Sequence, residues 1–485
     1  MTETSVQPAP PPSTGRSAWQ HIAGALRGEH YDYTQGSIGK AILLLAVPMV
    51  LEMSFESLFA IVDIWWVNHI DEGWFGAQST HGNAVAAIGA TEAMLSIVYA
   101  IGFGVGMAVT AMVARRVGER DLPGAAIAGS QAIGLGLTFG VLTGVPCAIW
   151  APELLGLMTK HNADIVATGT GYARWILGGN VIVVLLFLQN AIFRGAGDPI
   201  LALKTLAVSN LINLALDPCL IFGLGPFPAL GVTGAAVATC IGRAVAVVYQ
   251  TFLLTRGNGR VRLRPLIRLD AEPMWKLLRL SAGTVGQFLI GTSSWIVLMR
   301  LVNDFGAAAA AGYTTGIRIL MFSLLPAWGL ANAAATLVGQ NLGAGRPDRA
   351  ERSVWLTGVF DMAFLGFVTL VMELLPGPIV AQFTTDAAIA EHAVATLRIV
   401  SAGYVFFAWG MVSMQAFNGA GDTATPTWMH FWLFWVLELP LAWALAHPLG
   451  LETNGVLWSI TTAESIFAVV GIVLFRRGRW KTRQV

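Results

Sequence analysis

Phe193-Arg194-Gly195-Ala196-Gly197-Asp198 returns 224 residues later as Phe417-Asn418-Gly419-Ala420-Gly421-Asp422. In a chain of 485 residues that shift is almost half the length, so the phrase points to two copies of one unit. Other matches keep the register. Arg174 meets Arg398 and Gly231-Val232 meets Gly455-Val456 at the same shift, and Gly118 meets Gly343 at a shift of 225. Internal duplication explains all of them together.

Composition decides what kind of unit was copied. The chain is 55% hydrophobic and 12% charged, with a mean hydropathy of +0.64. Soluble domains average about 25% charged residues, so this chain cannot clothe a water-facing surface of its size. The net charge of +1 suggests no nucleic-acid partner. Cys147, Cys219 and Cys240 sit in apolar stretches at no zinc or redox spacing and are read as packing residues. The first 35 residues hold a Pro8-Ala9-Pro10-Pro11-Pro12 run and no apolar core, so they are no cleavable signal. Residues 1–38 are expected to form a disordered or surface-lying tail.

A helix crossing hydrocarbon needs about 20 mostly apolar residues. Twelve segments qualify: near 41–67, 84–112, 124–150, 166–192, 200–224 and 230–255, then 275–302, 308–339, 352–375, 392–416, 426–447 and 455–475. Numbered in order, they give six spans per repeat. The expected fold is an all-α membrane protein of twelve transmembrane helices. They form two six-helix bundles related by a pseudo-two-fold along the membrane normal, since an even span count points both halves the same way. The expected layout is an N-lobe over 39–255, a linker over 256–273, a C-lobe over 274–475 and a basic tail over 476–485. Of the 29 basic residues, 23 fall in the tails, the linker and the loops after spans 2, 4 and 8. The basic side of a membrane protein is the cytoplasmic one. This predicts a multi-pass protein of the cytoplasmic membrane with both termini inside the cell.

Ionisable residues within a span are costly and become candidates for function. Span 1 carries Glu52, Glu56 and Asp63 on one helical face, with Pro48 one turn before Glu52 expected to bend the helix. Span 5 carries Asn213 and Asp217 one turn apart, with Pro218 next. Asp63 and Asp217 both lie in outer halves of spans that run outward, and Tyr172 and Thr239 fall at compatible depths. Two carboxylates, an amide and two hydroxyls sharing an outer pocket would hold a proton or Na⁺. Glu52 and Glu56, with Gln287 of span 7, are candidate linings of a water-filled cavity. Asp361, Glu438 and Glu464 look isolated, and Arg243 and Arg318 are read as partners of neighbouring acids. Trp428, Phe431, Trp432, Phe434, Trp435, Trp443 and Trp458 crowd spans 11 and 12. They suit either lipid contact or stacking on a lipophilic cation. No catalytic arrangement emerges, so an enzyme is not expected. Gly102-Phe103-Gly104-Val105-Gly106 lies inside a span and is no phosphate loop.

Several of these features together resemble the multidrug and toxin extrusion (MATE) family over about residues 38–475. They are Pro48 with Asp63, Val338-Gly339-Gln340-Asn341-Leu342-Gly343, Tyr172-Ala173-Arg174 and the doubled Gly-Ala-Gly-Asp. To these add Asn213-Leu214-Ala215-Leu216-Asp217-Pro218 and Gly234-Ala235-Ala236-Val237-Ala238-Thr239. The resemblance implies two six-helix bundles around a central cleft and export of drugs driven by inward H⁺ or Na⁺. It implies a first-lobe cation site at Asp63, Asn213 and Asp217, with Tyr172 and Thr239 beside it and Pro48 where span 1 bends. One branch of the family adds carboxylates in spans 7 and 10. Gly291 and Ala408 fall near those positions here, which favours the branch that relies on the first lobe. The expectation is therefore an antiporter of amphipathic or cationic compounds. It is expected to work as a monomer in the bilayer, with no cofactor beyond the coupling ion. The alternative is a lipid-linked oligosaccharide flippase of related architecture.

Overall fold

Within hydrocarbon every backbone N–H and C=O must find its partner inside the chain, which leaves the helix as the form these apolar runs can take. The computed structural model describes residue 24 and residues 31–71, 82–256, 259–263 and 270–483; side chains at 60, 61, 63, 64 and 67–71 lie outside that description. Most of the expected N-terminal tail and much of the linker, including Arg264 and Arg268, therefore fall outside the described residues.

The spans of the first lobe are Ile38–Asp71, Asn83–Gly118, Leu122–Ile149, Ala163–Gly178 with Asn180–Ala196, Pro199–Phe222 and Val232–Arg256. Those of the second lobe begin with Ala271–Asn303, Ala307–Gly343 and Pro347–Leu374. Span 10 follows as Ala387–Ser401 with Tyr404–Gly419, bent by 57°. Span 11 runs Ala424–His430, a π-helical turn Phe431–Glu438 and Leu439–Ala446, and span 12 is Glu452–Arg476. The duplication is visible in the irregularities. Spans 4 and 10 break at Gly179 and at Gly403, which are 224 residues apart. Short helices, Ala151–Met158 and Pro376–Val380, follow spans 3 and 9.

The doubled phrase ends spans 4 and 10 in the same way. Gly197 and Gly421 sit at φ 85° and 82°, a left-handed conformation glycine adopts without a Cβ penalty. The amides of Asp198 and Asp422 reach back to the carbonyls of Phe193 and Phe417, each at 2.9 Å, closing a Schellman-type cap. One sequence match does not survive. Gly234 and Gly455 are the glycines pressed against the preceding helix, at Leu220 and at Leu445. Cys240 and Thr461 likewise donate to the carbonyls of Trp175 and Ile399. The last span of each lobe is thus in register at a shift of 221, and the Gly231-Val232 match at 224 is coincidental.

The lobes meet along the basic end of the bundle. The Tyr33 hydroxyl donates to the Gly197 carbonyl at 3.1 Å. Thr336 and Gln340 of span 8 donate to the carbonyls of Arg194 and Gly195 at 3.1 and 3.0 Å. A Cβ on Gly118 would lie 2.1 Å from the Gln340 carbonyl oxygen, and one on Gly343 would lie 2.2 Å from that of Arg115. Spans 2 and 8 therefore touch backbone to backbone, an approach only small residues permit.

Both tails differ from expectation. Residues 31–37 are not loose: Tyr33 is buried, and the Arg349 guanidinium gathers the carbonyls of Tyr33, Gln35 and Gly36. In the C-terminal tail Trp480 is fully buried and stacks on Phe475 at 4.6 Å, because an indole that large is better placed in the apolar core than in water. Pro48 lies inside a helix that continues unbroken from Ile38 to Asp71.

Candidate functional site

The first-lobe site is built by spans 4, 5 and 6. Asn213 and Asp217 project from one face of span 5, and both are buried. Gly242 lets span 6 come close, since a Cβ there would lie 2.7 Å from the Ser209 carbonyl oxygen. The result is a polar bridge between helices. Asn213 Nδ2 donates to Thr239 Oγ1 at 3.1 Å and to Asp217 Oδ1 at 3.4 Å. Tyr172 is buried in the apolar cluster that also holds Phe222 and Cys240 of spans 5 and 6. Trp66, three residues after Asp63, meets Phe222, five residues after Asp217, edge to face at 6.2 Å. That contact sets the C-terminal part of span 1 against the C-terminal part of span 5. The Asp63 side chain itself lies outside the described residues.

Of the sequence candidates, then, Asn213, Asp217 and Thr239 are bonded together. A carboxylate, an amide and a hydroxyl within an apolar cluster supply hard oxygen donors suited to a proton or a small monovalent cation.

Glu52 and Glu56 prove to have partners of their own. Glu52 is buried, accepts from Asn190 at 3.2 Å and pairs with Arg194 at 3.4 Å. Asn190 in turn accepts from Gln250, which also donates to Thr205. Burying a charge requires such a partner set, and here it ties spans 1, 4, 5 and 6 together. Glu56 is exposed and faces Arg243 at 3.9 Å, and Arg243 also donates to Tyr99. Arg318, expected to be paired, is exposed and has no ion-pair partner among the described residues. Trp428, Trp432, Trp443 and Trp458 point outward, as lipid-facing residues do, while Phe434 turns inward.

In the second lobe Gln287 borders a cavity of about 450 Å³ between spans 7, 8, 10, 11 and 12. Glu464 and His430 share its wall, and Glu438 lies within electrostatic reach of Glu464. Sequence reading missed this grouping by treating each acid alone. The repeat carried the signal: spans 5 and 6 pack together, so spans 11 and 12 must as well.

Two pseudo-symmetric six-span lobes, sealed at one membrane face and holding buried polar groups between apolar helices, define a multi-pass helical membrane transporter. A family model described as MatE matches residues 48–219 and 284–444. The chain belongs to that family. The probable multidrug resistance protein NorM of Thermotoga maritima is 24% identical over 449 residues, covering 92% of this chain and 94% of that protein. The FAD transporter of Shewanella oneidensis is 28% identical over 357 residues, covering 72% and 77%. Among solved structures, an outward-facing multidrug resistance MATE family transporter of the MOP superfamily superposes with a TM-score of 0.84 at 24% identity. It covers 93% of this chain and 98% of that one, a likeness of fold.

Proposed function

We propose that this protein is a secondary active multidrug exporter. It exchanges amphipathic or cationic compounds for H⁺ or Na⁺ bound at the first-lobe site. The observation that carries the reading is the buried Asn213–Asp217–Thr239 bridge between spans 5 and 6. An ionisable group at that depth costs about 2.5–3.5 kcal/mol on insertion scales and is retained where an ion pathway needs it. Asp63 on the neighbouring span is the second carboxylate of the site in this reading, and Tyr172 its hydroxyl neighbour. Multidrug resistance names among full-length relatives support export as the direction.

With the basic face taken as cytoplasmic, the seam at Tyr33, Gly118 and Gln340 closes the inner side, which is the arrangement an outward-facing state needs. Ion binding to that state would repack span 1 against span 5. The cargo must prefer the other arrangement for the two movements to be coupled. The test is efflux of a fluorescent cationic dye from drug-hypersensitive cells. Wild type restores efflux and Asp217→Asn does not, at equal membrane abundance. Normal efflux by that variant overturns the assignment. The relatives' names range from multidrug resistance to FAD transport, so the class of cargo has to be read from the chemistry of the cavities.

A further inference from the structure

The second-lobe cavity has features the ion site does not use. Its volume, about 450 Å³, lies within the range of small-molecule pockets and far exceeds what a bare ion needs. Six aromatic rings, Phe288, Trp295, Trp328, Phe407, Phe434 and Phe467, line its apolar wall together with aliphatic side chains and methionines. Aromatic faces attract cations, and methionine adapts to varied shapes.

The polar groups of the wall sort themselves. Gln287 is occupied, exchanging amide hydrogen bonds with Asn418 at 3.0 and 3.1 Å. His430 Nδ1 lies 2.7 Å from the Pro426 carbonyl oxygen, which can only accept, so the proton is on Nδ1. The ring is wedged edge-on between Phe434 and Phe467. Glu464 remains. Neither it nor Glu438 has a hydrogen bond or ion pair among the described residues, and Arg300 and Arg318 pair with neither. Glu438 ends the π-helical turn of span 11, an irregularity common at functional sites. Near it is the buried Tyr313 hydroxyl, which has no hydrogen-bond partner among the described residues.

The repeat sharpens the point. At the shift of 221 that governs the last span of each lobe, Glu464 stands where the first lobe has Arg243. Arg243 is engaged by Glu56 and Tyr99. The two lobes thus present opposite charges at equivalent positions. A carboxyl group in an apolar wall with no cation from the protein favours its neutral form, and it can stay ionised where a cation from outside comes to pair with it.

We propose that the second-lobe cavity is the cargo chamber, that it takes a monovalent organic cation with aromatic or aliphatic bulk, and that Glu464 is the counter-ion. The inference rests on the export reading above. The test is equilibrium binding of ethidium, and of tetraphenylphosphonium by competition, to the purified full-length protein in detergent. Glu464→Gln is expected to weaken both by at least about tenfold, since it removes one partner of a buried charge pair. Gly291→Leu provides a second test. Nothing lies within 4 Å of a Cβ there, so the side chain enters the cavity without a clash and is expected to block binding. Unchanged binding in folded Glu464→Gln and Gly291→Leu, or no binding by wild type, overturns the chamber. Loss of binding in both, with efflux intact in Asp217→Asn, keeps the chamber and overturns the ion-site reading instead.

Discussion

Arg194 donates to Glu52 across 3.4 Å, tying the end of span 4 to span 1 by an ion pair. Their places in the second lobe are taken by Asn418 and Gln287, which exchange two amide hydrogen bonds. The one residue that differs in the doubled phrase, arginine against asparagine, has a partner that differs with it. Glu52→Gln leaves a buried guanidinium uncompensated and is expected to cost about 3–5 kcal/mol. The double variant Glu52→Gln, Arg194→Asn imitates the second lobe and should recover most of that loss. Thermal unfolding in detergent checks both.

The seam between the lobes depends on spans 2 and 8 touching. Gly118→Ala places a methyl 2.1 Å from the Gln340 carbonyl oxygen, so one helix must move. The expected outcome is a looser basic face. With Cys147, Cys219 and Cys240 replaced, a cysteine substituted for Asn332, which lines a pocket between the lobes with Phe103, Arg194 and Gln415, should react several-fold faster with an impermeant thiol reagent. An unchanged rate would place the seam elsewhere.

At the C-terminal tail a hydrogen bond from Lys481 holds the Glu351 carboxyl below its ordinary value of 4.5, against the opposing effect of burial. A depressed carboxyl stabilises the folded state above its unfolded value, and the contribution is lost as pH falls through the folded value. Glu351→Gln should therefore lower stability by about 0.2–1 kcal/mol at neutral pH, because the pair is largely solvated. The difference from wild type should shrink as pH drops below 4.5. Unfolding temperatures across a pH series test this.

The scaffold was legible because a membrane leaves the backbone few choices. Apolar length fixed the spans, and the doubled phrase fixed the repeat down to its glycine caps. Asn213, Asp217 and Thr239 were legible because each is a polar group at a compatible depth in an apolar span. Partnership was harder to read. Glu52 resembled a cavity residue until Arg194 and Asn190 were seen to neutralise it, and nothing in their spacing of 142 and 138 residues announces the contact. Glu438 and Glu464 looked isolated for the same reason: an interhelical pairing has no local signature. The Gly231-Val232 match misled because span 12 is offset by three residues, which the packing of Gly455 on Leu445 and the bond from Thr461 to Ile399 reveal.

The central claim is that ion binding at Asp217 drives export. Its most direct test is dye efflux from proteoliposomes under a pH gradient or a Na⁺ gradient imposed separately. Wild type should extrude dye under one of the two. Asp217→Asn, with an unfolding temperature matching wild type, should fall to the rate of empty liposomes under both. Gradient-driven efflux by Asp217→Asn at the wild-type rate would contradict the account.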